Sequence, residues 1–212
     1  AHKAYRTCYP PVSQALFKLA WRLGKGSLVP LRILMWVSDL GLLLLVWRLT
    51  RDRFKVLLYF LCPLVIIESQ GGLHIDLAGA ALLLAATALL LARRPLLSAL
   101  GLALSFCVKY VPLALRLFFF HGGEARPRWY SALVDGSPWK AWLLFAAAVV
   151  ALFLPYAAAG GLLFQQLFLY GEYWKFNSVL APLFSLATGG HPLPLRILFL
   201  AAVSAWLLAI PR

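Results

Sequence analysis

Six apolar runs limit how this chain can fold: Leu31–Trp47, Phe54–Ile67, Ile75–Ala92, Pro95–Phe120, Ala141–Ala159 and Ile197–Ile210. About 20 apolar residues of helix cross a hydrocarbon core ~30 Å thick. The runs are rich in Leu and Ala and show no period-two alternation, so an outer-membrane barrel is not expected. Backbone in lipid must satisfy its own hydrogen bonds, and helices do this locally. Of the 212 residues, 63% are hydrophobic and 13% are charged. Soluble domains carry about 25% charge. The expected fold class is all-α: a polytopic transmembrane helical bundle with broken or re-entrant helices. A single transmembrane domain is expected over residues 1–212, with the lipid bilayer around it.

The net charge of +13 has to fit this picture. Most Lys and Arg lie between apolar runs, where they orient helices and meet anionic headgroups. They form no clustered nucleic-acid footprint, so no nucleic-acid partner is expected. Cys8, Cys62 and Cys107 are far apart in sequence, with no CxxC pair and no zinc spacing. No cofactor is expected from them.

The segment before the first run, "PPVSQALFKLAWRLGK" at 10–25, reads as an amphipathic helix. Pro10 and Pro11 suit its start. Gln14, Lys18, Arg22 and Lys25 share one helical face. Such a helix can lie at the membrane surface, or it can be a short connector. Between the last two runs, the Gly- and Pro-punctuated segment from Gly160 to Pro194 reads as interfacial or re-entrant helix and loop.

Orientation follows from the basic loops. Arg48, Arg51, Arg53 and Lys55 crowd one loop, and Arg93 and Arg94 crowd another. The positive-inside bias puts both in the cytoplasm. The turn between them, "ESQGGLH", has no Lys or Arg and falls on the outer face. For Pro95–Phe120 two readings stand: one long span, or two half-helices broken at "VKYVP", where Pro112 disfavours helix at Val111. The break is favoured, because it returns Arg116, Arg126, Arg128 and Lys140 to the cytoplasm. It also sets Lys109 on the outer face.

A polar constellation therefore gathers at the outer ends of two apolar helices: Glu68, Gln70, His74, Asp76 and Lys109. Ionisable groups at membrane depth are costly unless paired or hydrated, so they are functional candidates. Glu68 or Asp76 can take a proton from a sugar hydroxyl or bind sugar hydroxyls. His74 can shuttle a proton or hold a phosphate. Lys109 can offset charge on a phosphate leaving group. Tyr170, Tyr173, Trp174 and Phe176 can stack on a sugar face. Each group also has a structural reading. The carboxylates can pair with Lys109 or Arg6, and "LHIDLAG" can be simple helix-start chemistry. Asp39, alone in its apolar helix, can serve packing, helix pairing or catalysis.

Three segments carry a resemblance. They are "YPPVSQALFKLAWRLG", then "CPLVIIESQGGLHIDLAGAALLLAATALLLARRPLLSALGLALSFCVKYVPLAL", then "YWKFNSVLAPLFSLA". Together they resemble the polyprenyl-phosphate-mannose-dependent mannosyltransferases, multi-pass enzymes of the type C glycosyltransferase fold that include glycosyltransferase family 87. The E-x(5)-H-x-D segment and the later V-K-Y are the most telling parts. The resemblance implies an inverting sugar transfer outside the cytoplasm, in a prokaryotic cytoplasmic membrane. The donor would be a polyprenyl-phosphate-linked sugar, mannose first, and the acceptor a glycan or glycolipid. By the same resemblance, Glu68, His74 and Asp76 are the catalytic candidates lining the sugar pocket. Lys109 and Tyr110 face the donor phosphate, and Tyr9, Gln70, Trp174 and Asn177 complete the pocket.

One departure bears on the mechanism. Enzymes of that fold usually carry their catalytic acid in the first extracytoplasmic loop, and Ala1 falls within or just after the matching point. The chain is therefore expected to be a piece of a longer protein whose base lies upstream, with Glu68 or Asp76 as substitutes. Some relatives by fold use a divalent cation, but the ligand spacing here does not claim one. Two other functions stay open. A transporter or flippase also uses broken helices and buried charges. A noncatalytic membrane subunit would need no first-loop acid.

Overall fold

The computed structural model describes residues 7–110 and 138–173, and every regular element among them is a helix. Two compact units divide the chain, one of Tyr9–Ala158 and one of Ala1–Cys8 with Ala159–Arg212. The first unit holds α1 (Pro11–Gly24), α2 (Val29–Thr50), α3 (Arg53–Phe60) and α4 (Pro63–Val65), which continues into a π-helical turn, Ile66–Gly71. It goes on with α5 (Asp76–Leu91), α6 (Pro95–Val108) and α7 (Pro138–Phe153), the last followed by a 3₁₀ turn, Leu154–Ala159. In the second unit α8 spans Leu162–Tyr173. The expected run Ile197–Ile210 lies outside the described residues.

Local chemistry explains the helix boundaries. Pro11, Pro30, Pro63 and Pro95 all sit at the first helical turn, where a missing N–H costs nothing. Lys25 and Arg51 close α1 and α2 in the left-handed conformation, φ 47° and 52°, each donating its N–H to the carbonyl four residues back. Asp52 caps α3 through Oδ1, which accepts from Phe54 N at 2.9 Å and from Lys55 N at 3.4 Å. Such a cap is worth about 1 kcal/mol.

Two helices are long and apolar enough to cross a membrane, Val29–Thr50 and Trp139–Ala159. At 22 residues, α2 measures ~33 Å. A third crossing exists if Arg53–Phe60 and Pro63–Gly71 count as one span bent by 43°. The bend falls at Leu61–Cys62, just before Pro63, whose ring disfavours helix at the residue before it. α5 and α6 are shorter, 16 and 14 residues. At ~1.5 Å per residue neither crosses a ~30 Å core alone.

α5 and α6 form the tightest pair in the unit. Small residues let their backbones meet: a Cβ on Gly101 would lie 3.1 Å from Ala86 Cβ, and one on Gly79 would lie 3.2 Å from Val108 Cγ1. Ser98 Oγ donates to Ala86 O and Ser105 Oγ to Gly79 O, both at 2.7 Å. Where lipid tails match the side chains in polarity, such close packing and interhelical bonds drive helix association. Ala99, Leu102 and Ala103 of α6 also pack on Ala141 and Phe145 of α7. At the other end of the hairpin, Val108 joins Met35, Leu42, Ile75, Leu77 and Ala78 in a second core.

Apolar surface covers the outside. Trp36, Val37, Leu40 and Leu44 of α2 are exposed, Trp36 at 61%. So are Leu57, Leu58 and Phe60 of α3 and Leu143 and Val150 of α7. A water-soluble monomer rarely shows so extended an apolar face, and a lipid-facing one requires it.

Candidate functional site

The site begins with a helix that changes pitch. After Pro63 the chain makes about one α-turn and then widens into the π-turn Ile66–Gly71. π-turns are rare and cluster at functional positions. Gly72 N donates to Ile67 O at 2.8 Å and His74 N to Glu68 O at 3.0 Å, which folds the chain back on itself. A Cβ on Gly72 would stand 3.1 Å from Glu68 O, so only glycine fits without a shift. Leu73 takes a left-handed φ of 53°, rare for a branched side chain. Its side chain packs on the core around Ile75, which is fully buried. Core packing thus holds a backbone conformation that costs on the order of 1 kcal/mol.

This turn ties Glu68 to His74 twice. Beyond the backbone bond, His74 Nδ1 lies 2.6 Å from Glu68 Oε2. Both side chains are about half exposed, 48% and 54%. Two residues on, Asp76 opens α5, where a carboxylate suits the positive end of the helix dipole. Asp76 Oδ2 pairs with Lys109 Nζ, the residue that ends α6. Lys109 is extended, φ −151° and ψ 138°, so α6 stops at Val108. α6 thus stops inside "VKYVP", and one continuous helix over Pro95–Phe120 is excluded. The course of the chain beyond Tyr110 lies outside the described residues.

Two acid–base pairs therefore stand at one end of the unit: Glu68–His74 and Asp76–Lys109. The sequence placed these four residues together but left the partners open. Asp76 takes Lys109, and Glu68 takes His74. Neither pair holds the fold: half-exposed ion pairs are worth ~0–1 kcal/mol. Their chemistry is what distinguishes them. Each carboxylate is accessible and sits against a proton donor that a competing anion can displace.

The remaining candidates fall around this turn unequally. Gln70 lies on the π-turn, and its Oε1 is buried with no hydrogen-bond donor among the described residues. Tyr9 packs on the core that holds Ile75, its ring edge-on to Phe17 at 5.3 Å. Its carbonyl accepts from Gln14 Nε2 at 2.9 Å. The Tyr110 ring meets Phe106 at 5.4 Å. Trp174 and Asn177 lie outside the described residues. Asp39 is not alone: its Oδ1 accepts from Tyr59 Oη of α3 at 2.5 Å, which favours helix pairing among the three roles left open for it.

Sequence reasoning missed three features. Ser13 Oγ, fully buried, donates to Val108 O at 2.7 Å and ties α1 to the end of α6 beside Lys109. That carbonyl is one of the last four of a helix, which have no partner within it. The π-turn and the left-handed Leu73 were also unforeseen, and Gly71-Gly72 is the only sequence signal near them. Among the described residues, no three His, Cys, Asp or Glu side chains group to hold a metal ion. No family model, no curated protein and no solved structure matches the chain.

Proposed function

We propose that this chain belongs to a multi-pass membrane glycosyltransferase of type C architecture. It moves a sugar, mannose first, from a polyprenyl-phosphate donor to a glycan or glycolipid acceptor on the extracytoplasmic side of a prokaryotic cytoplasmic membrane. One observation carries the reading: the Asp76–Lys109 pair at the point where α6 stops, next in sequence to Glu68–His74. A cation and two carboxylates at the end of short apolar helices suit a substrate whose sugar phosphate is polar and whose tail is lipid.

The residues divide the work as follows. A donor phosphate oxygen competes with Asp76 for the Lys109 ammonium. Once displaced, the Asp76 carboxylate is free to accept the proton of the acceptor hydroxyl. The acceptor oxygen bonds to the anomeric carbon as the bond from that carbon to the phosphate oxygen breaks, with inversion. Lys109 offsets the charge that develops on the departing polyprenyl phosphate. Glu68, held by His74, orients sugar hydroxyls, and Gln70, its Oε1 buried, shapes the same turn.

The test is transfer of radiolabelled mannose from polyprenyl-phosphate mannose in membranes holding the protein. Asp76→Ala and Lys109→Ala should each lower transfer by roughly 10²-fold or more at normal protein levels. No transfer above background from any polyprenyl-linked sugar would overturn the reading. A transporter, flippase or noncatalytic subunit would then take its place.

A further inference from the structure

The basic residues of α1 sit where the charge bias of membrane proteins argues against them. In the orientation proposed above, the end of the unit carrying Asp76 and Lys109 faces away from the cytoplasm. α1 lies at that same end. Ser13 bonds to Val108 O, and Val12, Leu16 and Phe17 pack on the core around Ile75 and Val108. Lys18, Arg22, Lys25 and Arg32 are all exposed there. None of the four forms an ion pair with an acid among the described residues. The positive-inside bias disfavours Lys and Arg on this side. Like charges spaced i, i+4 also repel along a helix, as Lys18 and Arg22 do. An anionic surface would offset both effects.

The geometry of α1 indicates what that is. Ser13 and Ala20, seven residues apart, are buried and face the unit. Lys18, Arg22 and Lys25, at i, i+4 and i+7, form a stripe on the opposite face. Leu19 and Leu23 flank the stripe on one side and Trp21 on the other, exposed at 54%, 69% and 67%. Along the axis the three charges spread over ~10 Å, too far to converge on one phosphate. A cationic stripe between an aromatic and a leucine flank matches a helix lying in the membrane interface.

We propose that this stripe, with Arg32 at the start of α2, is a docking surface for anionic phospholipid headgroups of the leaflet at the site end. The headgroups neutralise the stripe while the exposed Leu19 and Leu23 on one flank enter the acyl boundary. α1 is thereby held flat, and its Ser13 bond to Val108 holds the segment next to Lys109. The proposal rests on the orientation in the glycosyltransferase reading, but its readout is lipid retention and not sugar transfer. Either can fail alone.

The experiment is native mass spectrometry of the protein in mild detergent, with equimolar phosphatidylglycerol and phosphatidylcholine of matched acyl chains. A basic residue near an anionic surface raises retention by up to roughly fivefold. The wild type should retain phosphatidylglycerol several-fold in preference, less so at high salt. Lys18→Gln/Arg22→Gln/Lys25→Gln should lose at least threefold of that preference. If the triple variant aggregates, Lys18→Gln and Lys25→Gln alone should each lower it about twofold. An unchanged preference in these variants would overturn the proposal. So would a loss confined to added polyprenyl phosphate, which would make the stripe a carrier site instead.

Discussion

The Asp76–Lys109 pair can be a brace or a chemical centre, and a double-mutant cycle separates the two. The perturbations are Asp76→Ala, Lys109→Ala and the double variant. Both side chains are 45% exposed. At that exposure the coupling in stability should be about 0.2–1 kcal/mol. For a chain of 212 residues, that corresponds to a shift in Tm of at most ~4 °C. The fold around the pair does not depend on it: Val108, Ile75 and Cys107 are fully buried, and Ser13 and Ser105 hold the helix ends through their own hydroxyls. Transfer, by contrast, should fall by roughly 10²-fold or more in each single variant. The double variant should fall little further, because the two groups act as one unit. The assays are thermal melting in detergent and transfer in membranes from the same preparations. A coupling above about 3 kcal/mol, with transfer lost in proportion to folded protein, would refute the reasoning and make the pair a structural brace.

Two further predictions concern the frame around the site. Gly101→Leu should cost about 1–3 kcal/mol, because its new Cβ meets Ala86 at 3.1 Å. Gly41→Ala in α2, where no atom lies within 4 Å, should instead stabilise by up to ~1 kcal/mol. Melting temperatures that move together would show that the α5–α6 contact is not the close one. Ser13→Ala should cost more than Ser105→Ala, about 1–3 against about 0.6 kcal/mol. The first leaves the Val108 carbonyl at a helix end without a donor, whereas the Gly79 carbonyl, inside α5, can keep its helical bond. Denaturation midpoints in one detergent would rank them, and equal costs would remove that distinction.

The apolar runs predicted the helices well because hydrophobicity along a chain is a local quantity. Leu31–Trp47 became Val29–Thr50, and Ile75–Ala92 became Asp76–Leu91. A stop of α6 within "VKYVP" was legible too, although it comes at Lys109 and not at Val111, the residue that Pro112 disfavours. The amphipathic reading of 10–25 matches α1, Pro11–Gly24.

Pairing is a different matter, because it is decided between segments. Composition could gather Glu68, His74, Asp76 and Lys109 at one end, but it could not say which acid takes which base. The α5–α6 hairpin settles Asp76 on Lys109, two residues 33 apart in sequence. The π-turn and the left-handed Leu73 settle Glu68 on His74. Asp39 looked solitary for the same reason, since its partner Tyr59 belongs to the next helix. Sequence alone determined where the apolar helices of the described residues lie and which polar residues fall near their ends, because these follow from neighbours along the chain. Only the tertiary structure decided the hydroxyl ties of Ser13, Ser98 and Ser105 and the partners of the charged groups, because each depends on a side chain meeting a backbone or a charge that folding brings to it from another helix.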